Sequence, residues 1–189
     1  MHVGHTETAV VTGKPVEMGG SLGRREATGR GVMIVTREAA AHLGLLLDGL
    51  TVAIQGFGNV GSVSASLLAS AGARVVAVTD VEGGVHNAAG LDIPALLKWT
   101  ATHKTVVGFP GAEALSPPDL FGLEVDVLIP AALENQITMA NAPDIRAKVI
   151  VEGANGPTSP DAHKHLHDRG VFIVPDILAN SGGVTTSDR

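Results

Sequence analysis

Six consecutive residues, Gly56-Phe57-Gly58-Asn59-Val60-Gly61, set three glycines at GxGxxG spacing. That spacing suits one chemistry. The first glycine can turn the backbone sharply, the second leaves no side chain between the backbone and a pyrophosphate, and the third lets a helix pack close to the preceding strand. A helix opening at such a loop presents free N–H groups and the positive end of its dipole to phosphate. GxGxxG alone is a weak signal, so its flanks decide. Here the apolar run Thr51 to Ile54 precedes the loop and a helical pattern to Ala71 follows it.

A second strand pattern, Arg74 to Thr79, ends at Asp80, 19 residues beyond Gly61. A carboxylate there could accept hydrogen bonds from the adenine-ribose hydroxyls of a dinucleotide and would repel a 2′-phosphate. NAD is therefore favoured, with NADP as the alternative. The competing reading makes these glycines structural turn residues and Asp80 a solvent-facing strand end. Asn155 and Asn180 each follow an apolar run, so each lies at the carboxyl edge where open α/β sheets bind ligands. Their carboxamides can hydrogen-bond a nicotinamide amide, although either residue alone could equally cap a loop.

The elements that position these residues follow from periodicity. Val32, Val35, Ala39, Ala40, Leu43 and Leu46 predict a long helix over about Glu26 to Leu47, with Gly49 as its stop. Ahead of it, Thr12 to Gly29 reads as an irregular lead-in segment. After the β-α-β unit ending at Asp80 comes a turn-rich stretch, Glu82 to Gly90. Asp92 then caps a helix with Pro94 in its first turn, reaching about His103. Further strands are expected at Val125 to Ile129, Val149 to Val151 and Val171 to Val174, and further helices at Leu133 to Asn141 and Pro160 to Asp168. Alternation of this kind gives an α/β fold: a doubly wound, mostly parallel, Rossmann-like sheet with helices on both faces. One domain over residues 1–189 is expected, with 1–48 as lead-in and long helix and 49–189 as the core.

Composition narrows the function classes. A net charge of −6 argues against a nucleic-acid backbone binder, which needs a basic face. The chain has no cysteine, which excludes disulfide and thiolate chemistry and fits a reducing compartment. No apolar run reaches the roughly 18 residues of a bilayer span, and no signal-peptide pattern opens the chain; a cytoplasmic location is expected. His163, His165 and His167 invite a metal hypothesis, but only His163 and His167 share a helix face and no third ligand is apparent, so a solvated face is the better reading. Gly170 reads as a helix stop after Asp168-Arg169, and Asp176 as a strand-end group that could orient a loop.

Several stretches together resemble the Glu/Leu/Phe/Val dehydrogenase family: GGSLGRREATGRG at 19–31, QGFGNVG at 55–61, VLIPAALENQI at 127–137, VEGANGPT at 151–158 and VPDILANSGGVT at 174–185. The resemblance covers almost the whole chain, and its first motif is similar to the glutamate subgroup. It implies the cofactor domain of a glutamate dehydrogenase, oxidising L-glutamate to 2-oxoglutarate and ammonia by hydride transfer to nicotinamide. It also implies dinucleotide contacts for Thr28 and Asn59, a nicotinamide contact for Asn155, cleft-lining places for Ala131 and Asn180, and a substrate-carboxylate contact for Ser187.

In the family the acid–base Lys and Asp belong to an N-terminal substrate domain with no counterpart here, and Lys14 matches a different segment. The expectation is therefore a chain shortened at both ends, inactive alone, and part of a homo-oligomer in full-length form. A second hypothesis, from another class, is a stand-alone dinucleotide-binding or sensing module without catalysis. A third, a non-binding remnant, is disfavoured by the intact loop glycines.

Overall fold

The structure is a computed structural model that describes residues 24–181; most of the lead-in segment, Lys14 and Ser187 lie outside the described residues. Helix α1 spans Arg24–His42. It ends well before Leu47 because Gly44 takes a left-handed conformation (φ 71°), and the Leu45 N–H turns back to the Ala40 carbonyl in a Schellman-like cap. The apolar periodicity runs on through Leu46, but Leu46 is 80% exposed and belongs to the loop.

Strand β1 (Thr51–Gln55), helix α2 (Asn59–Ser70) and strand β2 (Arg74–Thr79) form the β-α-β unit. The stretch expected to be all turn contains a short strand, β3 (Gly84–His86), antiparallel to β2 and to β4 (Glu113–Leu115). Three-residue strands leave too short an alternation to read. Helix α3 (Ile93–His103) starts as its sequence predicts: the Asp92 carboxylate accepts from the Ala95 N–H at 3.0 Å, and Pro94 lies in the first turn.

Strands β5 (Val127–Pro130), β6 (Val149–Val151) and β7 (Phe172–Val174) continue the sheet, with α4 (Pro160–Asp168) between the last two and α5 (Asp176–Ala179) after them. Gly170 (φ 82°) closes α4, as expected. The helix expected over Leu133 to Asn141 does not form. Its backbone bonds run across to another loop instead: Asn135 N–H to Gly156 O, Ile137 N–H to Pro157 O, and Ser159 N–H to Ile137 O. Ile137 and Thr158 pair as an isolated bridge. β-branched Ile137 and Thr138 favour that extended pairing over a helix turn.

The sheet order is β4-β3-β2-β1-β5-β6-β7. All pairs from β2 through β7 on the β1 side are parallel. Alternation then sorts the core to two faces. Val52, Ile54, Val127, Ile129, Val149 and Val151 pack on one side with Val32, Ala39, Ala40, Ala65, Leu68 and Leu96 from α1, α2 and α3. Ala53, Leu128 and Ile150 face the other side, against Ala162 and Leu166 of α4 and the 3-10 turns Pro118–Gly122 and Ala142–Asp144. No helix of the described residues is long and apolar enough to cross a membrane.

Candidate functional site

The chain leaves β1 toward β2 in one direction along the sheet and later returns through β5 in the other, so the strand order reverses between β1 and β5. In open α/β sheets, ligands bind outside the carboxyl ends of strands at that reversal. The glycine loop sits there. Gly56 is left-handed (φ 92°), and a Cβ on it would lie 2.8 Å from the Ala131 carbonyl oxygen, at the end of β5. Gly61 is tighter: its Cβ would lie 1.8 Å from the Gly56 carbonyl oxygen, so only hydrogen lets α2 seat against the loop. Around Gly58, by contrast, a Cβ would meet nothing within 4 Å. That residue is exposed and caps α2 with no side-chain bond of its own, which leaves the first N–H groups of the helix facing outward.

Three glycines thus meet three separate constraints: a turn, an open approach, and a close seat. Phe57 and Val60, partly buried, pack on the core beneath, while Asn59 is exposed at the first turn of α2. Thr28 is half-buried on α1 beside Gly29, where a Cβ would lie 2.6 Å from Val63 of α2. The EATGRG segment therefore brings Thr28 to the flank of the same helix.

The other expected residues converge from β5, β6 and β7. The Ala131 N–H donates to the Gln55 carbonyl at 2.8 Å, tying the end of β5 to the end of β1. Gly153 and Ala154 both donate to the Pro130 carbonyl at 3.0 Å, which ties in the end of β6. Asn155 and Asn180 are joined directly, with Asn180 Nδ2 donating to Asn155 Oδ1 at 2.6 Å. Asp176 orients that loop: its Oδ2 accepts from the Gly156 N–H at 2.8 Å and its Oδ1 from the Ile177 N–H at 2.7 Å. The Asp176 N–H in turn donates to the buried Glu152 carboxylate at 3.1 Å.

Asp80 stands at the end of β2, but its carboxylate is already engaged. Oδ1 accepts from the Glu82 and Gly83 N–H groups at 2.9 and 3.1 Å, and Oδ2 accepts from Thr105 Oγ1 and the Val106 N–H at 2.8 and 2.7 Å. Four donors occupy the roughly four lone-pair positions of a carboxylate. The group brings negative charge to this edge, while its hydrogen bonds organise the β2–β3 turn and the segment after α3.

Two side chains that sequence reasoning passed over also lie at this edge. Gln55, buried, donates from Nε2 to Gln136 Oε1 at 2.6 Å, and its own Oε1 is buried without a partner. Glu152 is 6% exposed. An acidic residue directly after the apolar run Val149 to Val151 was the available signal, because a charged group at the end of an interior strand must be satisfied by its surroundings.

Among the described residues no group of His, Cys, Asp and Glu could hold a metal ion. His163 and His167 are exposed, in line with a solvated face of α4. A groove of about 560 Å³, lined in part by Asp92, Lys98, Trp99 and Phe109, lies elsewhere, against the residues that follow β3.

The chain is similar to known proteins over nearly its whole length. A family profile described as Glutamate/Leucine/Phenylalanine/Valine dehydrogenase matches residues 19–188. A glutamate dehydrogenase of Thermotoga maritima is 52% identical over 188 residues, covering 99% of this chain and 45% of that protein. Among solved structures, the hetero-hexameric glutamate dehydrogenase of Thermus thermophilus in its Leu-bound form superposes with a TM-score of 0.89 at 38% identity, over 97% of this chain and 43% of that one. The glutamate dehydrogenase of Peptoniphilus asaccharolyticus gives 0.77 at 40% identity, over 95% and 41%. The chain thus spans less than half the length of these relatives.

Proposed function

Because the chain belongs to the Glutamate/Leucine/Phenylalanine/Valine dehydrogenase family, we propose that it holds the nicotinamide dinucleotide of an enzyme that oxidatively deaminates L-glutamate to 2-oxoglutarate and ammonia. The observation that carries the reading is the glycine loop. Open space over Gly58 beside a closed seat at Gly61 is what a pyrophosphate on a helix N-terminus requires, and a structural turn alone would not need it.

When bound, the dinucleotide supplies the hydride acceptor. The chain's own residues bind and orient it. Gly56 to Gly61 and the first turn of α2 hold the pyrophosphate, with Asn59 and Thr28 at their flank. Ala131, Asn155 and Asn180 stand on the β5–β7 side, where two carboxamides already linked at 2.6 Å offer further donors and acceptors to a nicotinamide amide. Asp80 contributes its charge at the adenosine end, which disfavours a 2′-phosphate. In this reading proton transfer to and from the amino acid belongs to residues of a separate substrate domain, so the 189-residue chain binds cofactor without turnover. Ser187 as a substrate contact, a cytoplasmic location and assembly into an oligomer are parts of the same proposal, resting on the family resemblance.

Calorimetric titration of the chain with NADH and, separately, NADPH tests the reading. Saturable NADH binding with weaker NADPH binding is the expected result. A folded chain that binds neither nucleotide would overturn it.

A further inference from the structure

The chain contains six asparagines, and Asn155 alone is followed by glycine. The backbone nitrogen after an asparagine can attack the side-chain amide carbon to close a five-membered succinimide. Glycine favours this because no side chain crowds the attacking nitrogen, whereas Asn59, for example, precedes a β-branched valine.

Gly156 has φ +51°, and no atom lies within 4 Å of where its Cβ would be. Both Asn155 and Gly156 are exposed, so water reaches the bond. The two atoms that must change charge in the reaction each have a partner in place. The Gly156 N–H, the nucleophile, donates to Asp176 Oδ2 at 2.8 Å. The Asn155 Oδ1, which gathers negative charge on attack, accepts from Asn180 Nδ2 at 2.6 Å. A carboxylate on the attacking nitrogen and an N–H donor on the carbonyl oxygen are the components of base-assisted acyl transfer.

We propose that Asn155–Gly156 is a self-modification site, where Asp176 and Asn180 promote conversion of Asn155 to aspartate or isoaspartate. Asp176 takes the Gly156 proton as the nitrogen–Cγ bond forms and the C=O electron pair moves onto Oδ1, held by Asn180. Collapse of that intermediate breaks the Cγ–Nδ2 bond, and ammonia leaves with the proton returned from Asp176. Water then opens the succinimide at either carbonyl. The net change is asparagine and water to an acid and ammonia, with no redox step.

The product replaces a carboxamide with a carboxylate at the carboxyl edge of β6, and isoaspartate also adds a methylene to the backbone there. Neither depends on what the crevice binds. The inference therefore stands or falls apart from the cofactor reading.

The test follows the 189-residue chain over time at mildly alkaline pH, with peptide mass mapping and isoaspartate detection at each asparagine. The folded chain is compared with the same chain in concentrated urea. Assistance by the fold predicts that position 155 converts first, and faster in the folded chain than in urea. Asp176→Asn is expected to slow the folded rate at least tenfold, a conservative share of the roughly hundredfold or more that a positioned base supplies. Asn180→Ala is expected to slow it less. Slower conversion in the folded chain than in urea would overturn the proposal, because the two bonds would then be restraining the loop. Should Asp176→Asn fail to fold, the wild-type comparison still gives the answer.

Discussion

Two alanine substitutions three residues apart, Gly58→Ala and Gly61→Ala, should fail in opposite ways, and the difference comes straight from the loop geometry. At Gly61 a Cβ would lie 1.8 Å from the Gly56 carbonyl oxygen, against an ordinary contact of 3.4 Å or more, so α2 must retreat by the difference. Overpacking of a well-packed site costs about 1–3 kcal/mol, and a backbone oxygen cannot swing aside, so about 3 kcal/mol is expected. With a urea slope of about 2 kcal/mol per molar, the unfolding midpoint falls by about 1.5 M. At Gly58 the added methyl meets nothing within 4 Å and φ is −77°, a value any residue adopts. Loss of a glycine N-cap costs under about 1 kcal/mol, so the midpoint barely moves.

Binding inverts the ranking of interest. The Gly58 methyl occupies the space through which a pyrophosphate approaches the helix N–H groups, so Kd for NADH should rise about 100-fold, or about 2.7 kcal/mol, with stability nearly unchanged. Paired urea melts and calorimetric titrations read both quantities on the same preparations. Wild-type NADH affinity in Gly58→Ala would refute the placement of the pyrophosphate over that residue, and the loop would be a strand-to-helix turn only. Unchanged stability in Gly61→Ala would refute the packing argument itself.

Asp80 and Asp126 give two further outcomes. Asp80→Asn replaces one acceptor oxygen by an amide that faces N–H or O–H donors, losing two of four bonds and about 1–3 kcal/mol of stability; removal of the charge should also raise NADPH affinity relative to NADH a few-fold, about 1 kcal/mol, and an unmoved ratio would leave Asp80 a purely structural group. At the opposite sheet edge, burial pushes the Asp126 carboxyl up, but hydrogen bonds from Lys148 and from the Thr51 N–H and hydroxyl outweigh it and hold the group below its ordinary value of 3.8. A depressed carboxyl contributes stability above the unfolded-state value and loses it as pH falls through the folded one, so Asp126→Asn should cost about 1 kcal/mol at neutral pH and converge with wild type below pH 3.8. Parallel stability curves across that range would remove Asp126 from the pH response.

Much of this architecture is legible from the sequence where local pattern and tertiary outcome agree. The β-α-β unit, Asp92 as the cap of α3, and α4 with its Gly170 stop all follow from periodicity and end signals that the packing leaves intact. Departures arise where a distant segment supplies the backbone partners. Leu133 to Asn141 carries enough apolar residues for a helix, yet its N–H groups find acceptors at Gly156 and Pro157 and its Ile137 carbonyl accepts from the Ser159 N–H, none visible in the segment itself. β3 and β4 are three residues each, β3 stabilised by pairing with β2 and β4 by pairing with β3 rather than by any pattern of their own. Gly44 ends α1 early because a left-handed glycine outweighs an apolar repeat that continues past it.

The site shows the same division at the level of single atoms. GxGxxG can be read without a fold because two of its constraints lie in the loop's own backbone, the left-handed turn at Gly56 and the close seat of Gly61 on the Gly56 carbonyl, whereas the approach of Gly56 to Ala131 is set only by the fold. Asp80 can be placed from sequence at the end of β2, but which groups its oxygens accept from depends on Thr105 and Val106, 25 and 26 residues away. Residue type and strand position therefore specify the charge that Asp80 brings to the edge, and only the fold specifies where its lone pairs go. Asn155 and Asn180 make the complementary case. Each alone reads as an ordinary loop cap, and the parallel pairing of β6 with β7 is what turns two such caps into one bonded pair at the carboxyl edge of the sheet.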